Sequence, residues 1–377
     1  MSRPLRIGLI GAGFMGRSHA LAWRMAPAVF DLPRVPEIAI LADRTPELAH
    51  QAARQLGIAR ATGDWRDVVR DPEIDLVDIT APNALHKEMA LAAIEAGKAV
   101  YCEKPLAPTA SDARDMAEAA ELAELPTFVG FNYLRNPMTR LARELVASGE
   151  IGEVWSFRGI HAEDYMADPG VPWSWRLDPS GGAGAIADLG SHIIAMARYV
   201  VGPIEELTAD LDTVITERAI TKGGAPSRPV EVDDQARALL RFANGATGTL
   251  EASWIATGRK MYLAFELTGS KGSILLNMER MNELRLYRQG QPAGRAGYVE
   301  IPAGPEHADY AAFCPAPGHQ LGFNEIKAIE VKDIALAMAD GPAFRPDFRE
   351  AYEVQRVVDA ILLAARERRW VSVEEVG

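Results

Sequence analysis

The chain has 377 residues, more than one ordinary core accommodates and enough for two domains. Hydrophobic residues make up 48% and charged residues 24%, the balance of a globular protein, and a net charge of −12 argues against a nucleic-acid or anionic-membrane surface. No apolar run approaches a membrane span, the first one is too short for a signal peptide, and Cys102 and Cys314 give neither a disulfide framework nor zinc spacing, so a reducing cytoplasm is expected.

In chain order, residues 5–10 read as an apolar strand that runs into Gly11-Ala12-Gly13-Phe14-Met15-Gly16, and 14–24 read as a helix. This is the strand-turn-helix context of a dinucleotide fingerprint. Gly11 permits the turn, Gly13 lets a pyrophosphate approach the backbone, and Gly16 lets helix and strand pack closely. The helix N-terminus offers free N–H groups to the phosphates. An irregular segment with Pro27, Pro33 and Pro36 follows, then a strand over 37–42 ending at Asp43-Arg44. Helices are expected over 46–56 and 65–70, a strand over 76–80 ending at Ala81-Pro82-Asn83, and a helix over 85–96 closed by Gly97. A strand over 99–102 ends at Glu103-Lys104-Pro105; Ser111 then caps a helix running to about 123, and 127–130 is a further strand. Alternating strands and helices imply a doubly wound parallel sheet, with functional loops at the carboxyl ends of its strands.

Beyond residue 130 the pattern changes. A helix over 137–148 precedes strands over 154–161, 206–216, 236–242, 246–254, 262–268, 273–277 and 283–287, which alternate in polarity. Asn244-Gly245 is a hairpin signal, and the series reads as a mostly antiparallel sheet with one face covered. Helices are expected over 185–200, 325–339 and 348–368, a polar loop over 219–230, and a long loop over 289–319. The fold class is therefore α/β, with a dinucleotide-binding domain over 1–130 and a substrate-binding domain over 131–377.

The candidate chemistry sits at strand ends. Asp43, 27 positions after Gly16, is placed to bridge ribose hydroxyls and repel a 2′-phosphate, which favours NAD; Arg44 beside it is compatible with NADP. Thr80, Pro82, Asn83 and His86 lie where the nicotinamide half of a cofactor would run. Lys104, after Glu103, is placed to stabilise alkoxide character as hydride leaves, although a solvated lysine is the plainer role. Asp188 and His192 are four apart, hence on one face of an α-helix, with the histidine suited to accept a hydroxyl proton and the aspartate to orient it. The glycine-rich run 181–184 allows close backbone approach before them. Neither H-E-x-x-H nor C-x-x-C occurs, and no metal is expected.

Taken together, the glycine turn, Pro82-Asn83 with His86, Glu103-Lys104-Pro105, and Asp188 with His192 resemble the Gfo/Idh/MocA oxidoreductases, and the likeness runs end to end. The resemblance implies a Rossmann domain, a C-terminal α/β domain whose large open sheet serves homodimer or homotetramer assembly, a cis Lys104–Pro105 bond, and Lys104, Asp188 and His192 as the catalytic set. Cofactor contacts then fall to Gly11, Gly13, Phe14, Met15, Gly16, Asp43, Arg44, Thr80, Pro82, Asn83, His86, Glu103 and Lys104. Ser174-Trp175-Arg176, Val232-Asp233-Asp234 and the 241–246 stretch are similar to members that oxidise C3 of a sugar ring. The expected activity is NAD-dependent oxidation of a secondary hydroxyl of a sugar, anhydrosugar or cyclitol to a ketone. Substrate contacts are expected from Asn132, Tyr133, Arg135, Trp175, Arg176, His192 and His319; core packing is the plainer role of Trp175 and a salt bridge that of Arg176. The alternatives are inositol oxidation, glycoside cleavage through transient oxidation and elimination, and a non-catalytic nucleotide sensor.

Overall fold

Short Val-, Ile- and Leu-rich runs, too apolar to face water on either side, form the first sheet. A computed structural model describes residues 3–182 and 184–377. The parallel strands are β1 (Leu5–Ile10), β2 (Pro36–Ala42), β3 (Ala61–Thr62), β4 (Leu76–Ile79), β5 (Ala99–Cys102) and β6 (Thr127–Val129). Their order, β3-β2-β1-β4-β5-β6, reverses direction between β1 and β4. That reversal opens the crevice in which doubly wound sheets take ligands. The crossovers are α1 (Phe14–Val29), α2 (Pro46–Leu56), α3 (Trp65–Arg70), α4 (His86–Glu95) and α5 (Ala110–Leu122).

Two boundaries differ from expectation. Helix α1 runs through Pro27 to Val29, because a proline this near the end costs one hydrogen bond while Trp23 and Ala26 are fully buried beside it. The cap of α5 is Thr109, whose Oγ1 accepts from the Asp112 N–H, and not Ser111. Strand β3 is too short to leave a sequence signal.

The second sheet has nine strands in the order β16-β15-β14-β13-β7-β12-β11-β8-β17. They are β7 (Val154–Ala162), β8 (Ile204–Asp212), β11 (Gln235–Phe242), β12 (Thr247–Ser253), β13 (Tyr262–Gly269), β14 (Gly272–Asn277), β15 (Glu283–Arg288), β16 (Val299–Pro302) and β17 (Val371–Ser372). Every neighbour pair is antiparallel except β7 with β12. The expected turn at Asn244-Gly245 joins β11 to β12, with Gly245 at φ +86°. Strand β11 buries alternate residues and leaves Arg237, Leu239 and Arg241 outward. Helices α6 (Pro137–Ala147) and α7 (Ser191–Val200) belong to this unit. The expected polar loop over 219–230 instead carries a hairpin, β9 (Glu217–Ala219) with β10 (Ser227–Pro229), and the long loop over 289–319 carries β16 and the short α8 (Tyr310–Phe313).

The chain divides into two compact units. One comprises the residues up to Arg135 together with Gly322–Glu353; the other comprises Asn136–Leu321 and Val354–Gly377. Helix α9 (Phe323–Ala337) thus belongs with the first sheet, although the sequence reading gave everything after residue 130 to the second domain. Its Val331, Ile334 and Ala335 join the core of Leu5, Ile7, Trp23, Tyr101 and Phe128. Helix α10 (Phe348–Glu367) begins in the first unit and ends in the second.

Candidate active site

At the carboxyl end of β1, Gly11 adopts φ +99°, which only glycine takes without strain. A Cβ on Gly16 would lie 2.1 Å from the Gly11 carbonyl oxygen, so that position accepts nothing larger. Gly13 is the opposite case: it is exposed, and a Cβ there would meet no protein atom within 4 Å. Room is kept there without any protein group to fill it, as a pyrophosphate requires. Gly13 also stands at the N-cap of α1, where no side chain caps the N–H groups, leaving them for an anion. The Thr80 hydroxyl donates to the carbonyls of Ile10 (3.0 Å) and Gly11 (3.1 Å) and ties the turn to β4. The Asp43 carboxylate, at the end of β2, accepts from Ala12 N (3.1 Å) and Arg44 N (2.7 Å), while the Arg44 side chain is exposed. Phe14 is 75% exposed and stacks on Phe323 at 5.9 Å; Met15 is half-buried. These features fit a dinucleotide.

The residues after β4 and β5 divide into those that reach the surface and those that brace it. Pro82 is exposed and Asn83 buried in a short turn. His86 is fully buried between two carbonyls, Pro105 O on Nδ1 (3.0 Å) and Ala81 O on Nε2 (2.9 Å), and desolvation lowers its pKa. It joins the two strand-end loops and has no surface for a cofactor. Glu103 also turns inward: its Oε1 meets His19 Nε2 and Lys327 Nζ, each at 2.9 Å. Neither residue therefore offers its side chain as the cofactor contact the sequence suggested. Lys104, between them, is half-buried, and the Lys104–Pro105 bond is cis.

Behind Glu103 lies a buried chain of alternating charge that the sequence reading did not find. Trp23 Nε1 donates to Asp78 (2.8 Å), Asp78 meets His19 Nδ1 (2.8 Å), and His19 meets Glu103. Lys327 of α9 then bridges Glu103 to Glu330 (2.8 Å) and donates to the Tyr101 hydroxyl (3.1 Å). Burial opposes charge on His19, but the Asp78 and Glu103 carboxylates outweigh it and raise its pKa. Burial likewise opposes charge on Glu103, yet Lys327 and His19 hold its carboxyl well below the usual range. Its traces in the sequence are a histidine early in α1, an aspartate inside the apolar strand β4, and an acid just after β5.

In the second unit, Ile186–Gly190 forms a wide π-turn that leads into α7. Asp188 lies in the π-turn and His192 in the first α-turn, so the pair spans the junction of the two helical forms. The start of this segment is held by Asp233, which accepts from Ile186 N on its carboxylate (2.8 Å) and from Ala185 N on its carbonyl (2.9 Å). Gly184, at φ +108°, has no space for a Cβ because Asp233 Oδ1 would lie 2.1 Å from it; Ala183 of the same run lies outside the described residues. Burial pushes the Asp233 carboxyl up to about 7. Asp188 Oδ2 accepts from the Tyr165 hydroxyl (2.7 Å) and from Arg176 Nε (3.4 Å). Desolvation and the Asp188 charge push the Tyr165 hydroxyl well up, so it remains a donor. His192 is 7% exposed and packs edge-on against His161 at 5.5 Å, whose Nδ1 contacts the Leu189 carbonyl at 2.9 Å. Tyr165 was missed because its partner, Asp188, lies 23 residues away; His161, whose Nε2 meets the Glu163 carboxylate at 3.2 Å, meets His192 and the Leu189 carbonyl only through the fold.

The remaining substrate candidates fare unequally. Asn132 follows β6, and its buried Nδ2 has no protein partner, a donor that a polar ligand satisfies. Tyr133 is half-buried, 6.2 Å from Phe323. Arg135 is structural: it is buried, pairs with Asp333 (3.2 Å), donates to Arg345 O and lies over the Phe344 ring, which corrects its expected role. Trp175 is 40% exposed with Arg176 stacked on it, not packed in a core. His319 lies in an exposed loop, with its carbonyl accepting from the Tyr310 hydroxyl. Among the described residues no cluster of three or more His, Cys, Asp or Glu is arranged to hold a metal, and no helix is long and apolar enough to cross a membrane.

The strand order, the glycine turn and the uncapped helix define an NAD-binding oxidoreductase of the Rossmann type. Residues 5–131 match the model described as an oxidoreductase family with an NAD-binding Rossmann fold, and residues 139–275 match the GFO/IDH/MocA C-terminal domain. The chain is 41% identical to the levoglucosan dehydrogenase of Pseudarthrobacter phenanthrenivorans over 386 residues, covering 99% of each. It is 30% identical to the myo-inositol 2-dehydrogenase of Thermotoga maritima over 280 residues, covering 73% of this chain and 76% of that one. A solved levoglucosan dehydrogenase in complex with NADH and levoglucosan superposes with a TM-score of 0.95 at 42% identity, covering 98% of this chain and 99% of that one. The chain belongs to the Gfo/Idh/MocA family of oxidoreductases.

Proposed function

We propose that this protein oxidises a secondary hydroxyl of a sugar or anhydrosugar to a ketone, with levoglucosan the first candidate substrate. The reading is carried by the 41% identity over 99% of both chains to a levoglucosan dehydrogenase, joined to the Asp188–Tyr165–Arg176 arrangement beside His192. A bound NAD+ supplies the acceptor for the hydride that leaves carbon. Gly11, Gly13 and the N–H groups of α1 would hold its pyrophosphate, with Gly16 keeping the helix close to the strand; Asp43 would take its ribose hydroxyls and disfavour a 2′-phosphate. His192 accepts the hydroxyl proton, and Asp188 orients the substrate alongside it. Lys104 donates to the same oxygen and stabilises its developing negative charge. The products are a ketone, NADH and one proton passed to solvent. Asn132, Tyr133, Trp175, Arg176 and His319 are the remaining candidates for contacts that choose the sugar.

Residues 1–130 carry the cofactor in this reading, and most of 131–377 serves the substrate and assembly. The outward face of the nine-stranded sheet carries a concavity of about 870 Å³ lined by Arg158, Arg237, Leu239, Tyr262 and Glu266, among others. Leu239 is 50% exposed there. A second copy of the chain covering this face would give a homodimer or homotetramer, and a cytoplasmic location suits the two unpaired cysteines.

A panel of monosaccharides, anhydrosugars and inositols with NAD+ or NADP+, read by absorbance of the reduced cofactor, tests the reading. NADH formation with levoglucosan is the expected result. Oxidation confined to inositols would overturn the sugar assignment, and cleavage of a glycoside without net NADH would move the protein to the elimination class.

A further inference from the structure

Five ionisable groups in one Rossmann core are costly. Asp78, His19, Lys327 and Glu330 are fully buried, and Glu103 is 5% exposed. Replacing buried ion pairs with apolar residues of similar volume is often neutral or stabilising, so stability alone does not account for such a chain. Its position suggests what does. Both oxygens of Glu103 are in use: Oε1 by His19 and Lys327, Oε2 by the backbone N–H of Lys104 at 3.1 Å. The carboxylate is also wedged against the end of β6, where a Cβ on Gly130 would lie 2.5 Å from Oε1. Turning it would break two charged contacts and release the Lys104 N–H. One residue beyond Lys104, the Pro105 carbonyl rests on His86. The Lys104 backbone is therefore gripped on both sides by side chains that have no other task in the reaction.

We propose that the chain Asp78–His19–Glu103–Lys327–Glu330 fixes where Lys104 stands, and that Lys327, brought to the sheet by α9, is its principal positioning residue. The three N–H groups of Lys327 are directed at Glu103, Glu330 and Tyr101 at 2.9, 2.8 and 3.1 Å. The Tyr101 hydroxyl donates to Glu330 at 2.5 Å and its ring stacks on the His19 ring at 4.7 Å, so the chain closes on itself. Remove the Lys327 cation and Glu103 faces Glu330 across a dry gap. Glu103 then keeps His19 as its one charged partner; a carboxylate that turns releases the Lys104 N–H, and one that takes up a proton holds it with a weaker, neutral acceptor. Lys327 touches no reacting atom in this scheme; it acts through Glu103. The inference rests on the Lys104 role proposed above only for its effect on turnover, not for its effect on Lys104 itself.

The test follows from that separation. The full-length protein and its Lys327→Met variant are treated with limiting acetic anhydride, and acetylation is read lysine by lysine by mass spectrometry, with exposed Lys222 as the internal reference. The Lys104 rate should change by at least about threefold relative to Lys222. An unchanged ratio, or a parallel change in every lysine, overturns the proposal. On the best sugar of the panel, Lys327→Met should lower kcat by about 10- to 100-fold with the NADH Kd nearly unchanged, and should cost nothing further in a Lys104→Ala background. Equal losses in both backgrounds would mark a merely structural role and also overturn it. If Lys104 labelling shifts while Lys104→Ala keeps full kcat, the positioning stands and the chemical role given to Lys104 fails. Should Lys327→Met not fold, His19→Gln cuts the chain from its other side and is read the same way.

Discussion

The two units hold their candidate chemistry in contrasting ways. In the first, Lys104 is fixed by a dry chain of alternating charges built from α1, β4, β5 and α9. In the second, Asp188 is held by a tyrosine hydroxyl and an arginine that both reach solvent, and the segment carrying it is a π-turn gripped by one aspartate. The first arrangement tolerates little, because removing one member leaves a buried charge unpaired. The second can be re-aimed by changing exposed residues. A hydride acceptor of invariant shape suits the former, and a sugar that differs between relatives suits the latter.

Breaking either side at the reacting atoms should have the largest effect. His192→Ala and Lys104→Ala should each lower kcat by about 10²- to 10⁴-fold, with the NADH Kd changed far less, as measured by steady-state kinetics and fluorescence titration. Loss of NADH affinity in step with kcat would contradict the division of labour between the units. Gly16→Ala should do the reverse and abolish NADH binding first, because its Cβ would collide with the Gly11 carbonyl at 2.1 Å.

Stability separates the two sides next. Lys327→Met should destabilise the protein by about 3–5 kcal/mol in denaturant titrations, the usual result of leaving a buried charge alone. Removing the Asp188–Tyr165 contact with Tyr165→Phe should cost about 1 kcal/mol or less. Comparable losses would erase the contrast.

The smallest effect is a slope. The Asp233 carboxyl titrates near 7 in the folded protein and near 3.8 when unfolded, so between those values the folded state binds more protons. Its contribution to stability therefore falls as pH rises from about 4 to 7 and is level above that. Asp233→Asn should flatten this slope in thermal scans across the same window. A variant with the wild-type slope would show that Asp233 is ionised when folded.

Much of the first sheet was legible because its strands are continuous apolar runs ended by glycine, proline or a charge. The strand limits at Leu5–Ile10 and Ala99–Cys102 follow directly, and so do the glycine turn and the likeness to a known family. What stayed hidden depends on contacts far apart in the chain. Nothing local marks Lys327 as a partner of Glu103, or Tyr165 as a partner of Asp188. The π-turn was invisible because the 3.6-residue period was assumed where an extra residue widens the helix. Arg135 misled because its partner is distant in the chain: an arginine in the turn after a strand reads as a ligand contact until Asp333 appears beside it. The short hairpin of β9 and β10 lies in a run too polar and glycine-rich to signal strands.

The membership of α9 in the first unit also bears on how the protein is made. A ribosome adding about 5–20 residues per second releases the first sheet long before residue 327, roughly 10–40 s earlier by that rate. During this interval Glu103 and His19 are already in the nascent chain, while the lysine that neutralises their neighbourhood has not been synthesised. The nucleotide-binding half therefore completes its core only when Val331, Ile334 and Ala335 of α9 have been made. The charged seam is closed only once Lys327 and Glu330 of α9 have been added.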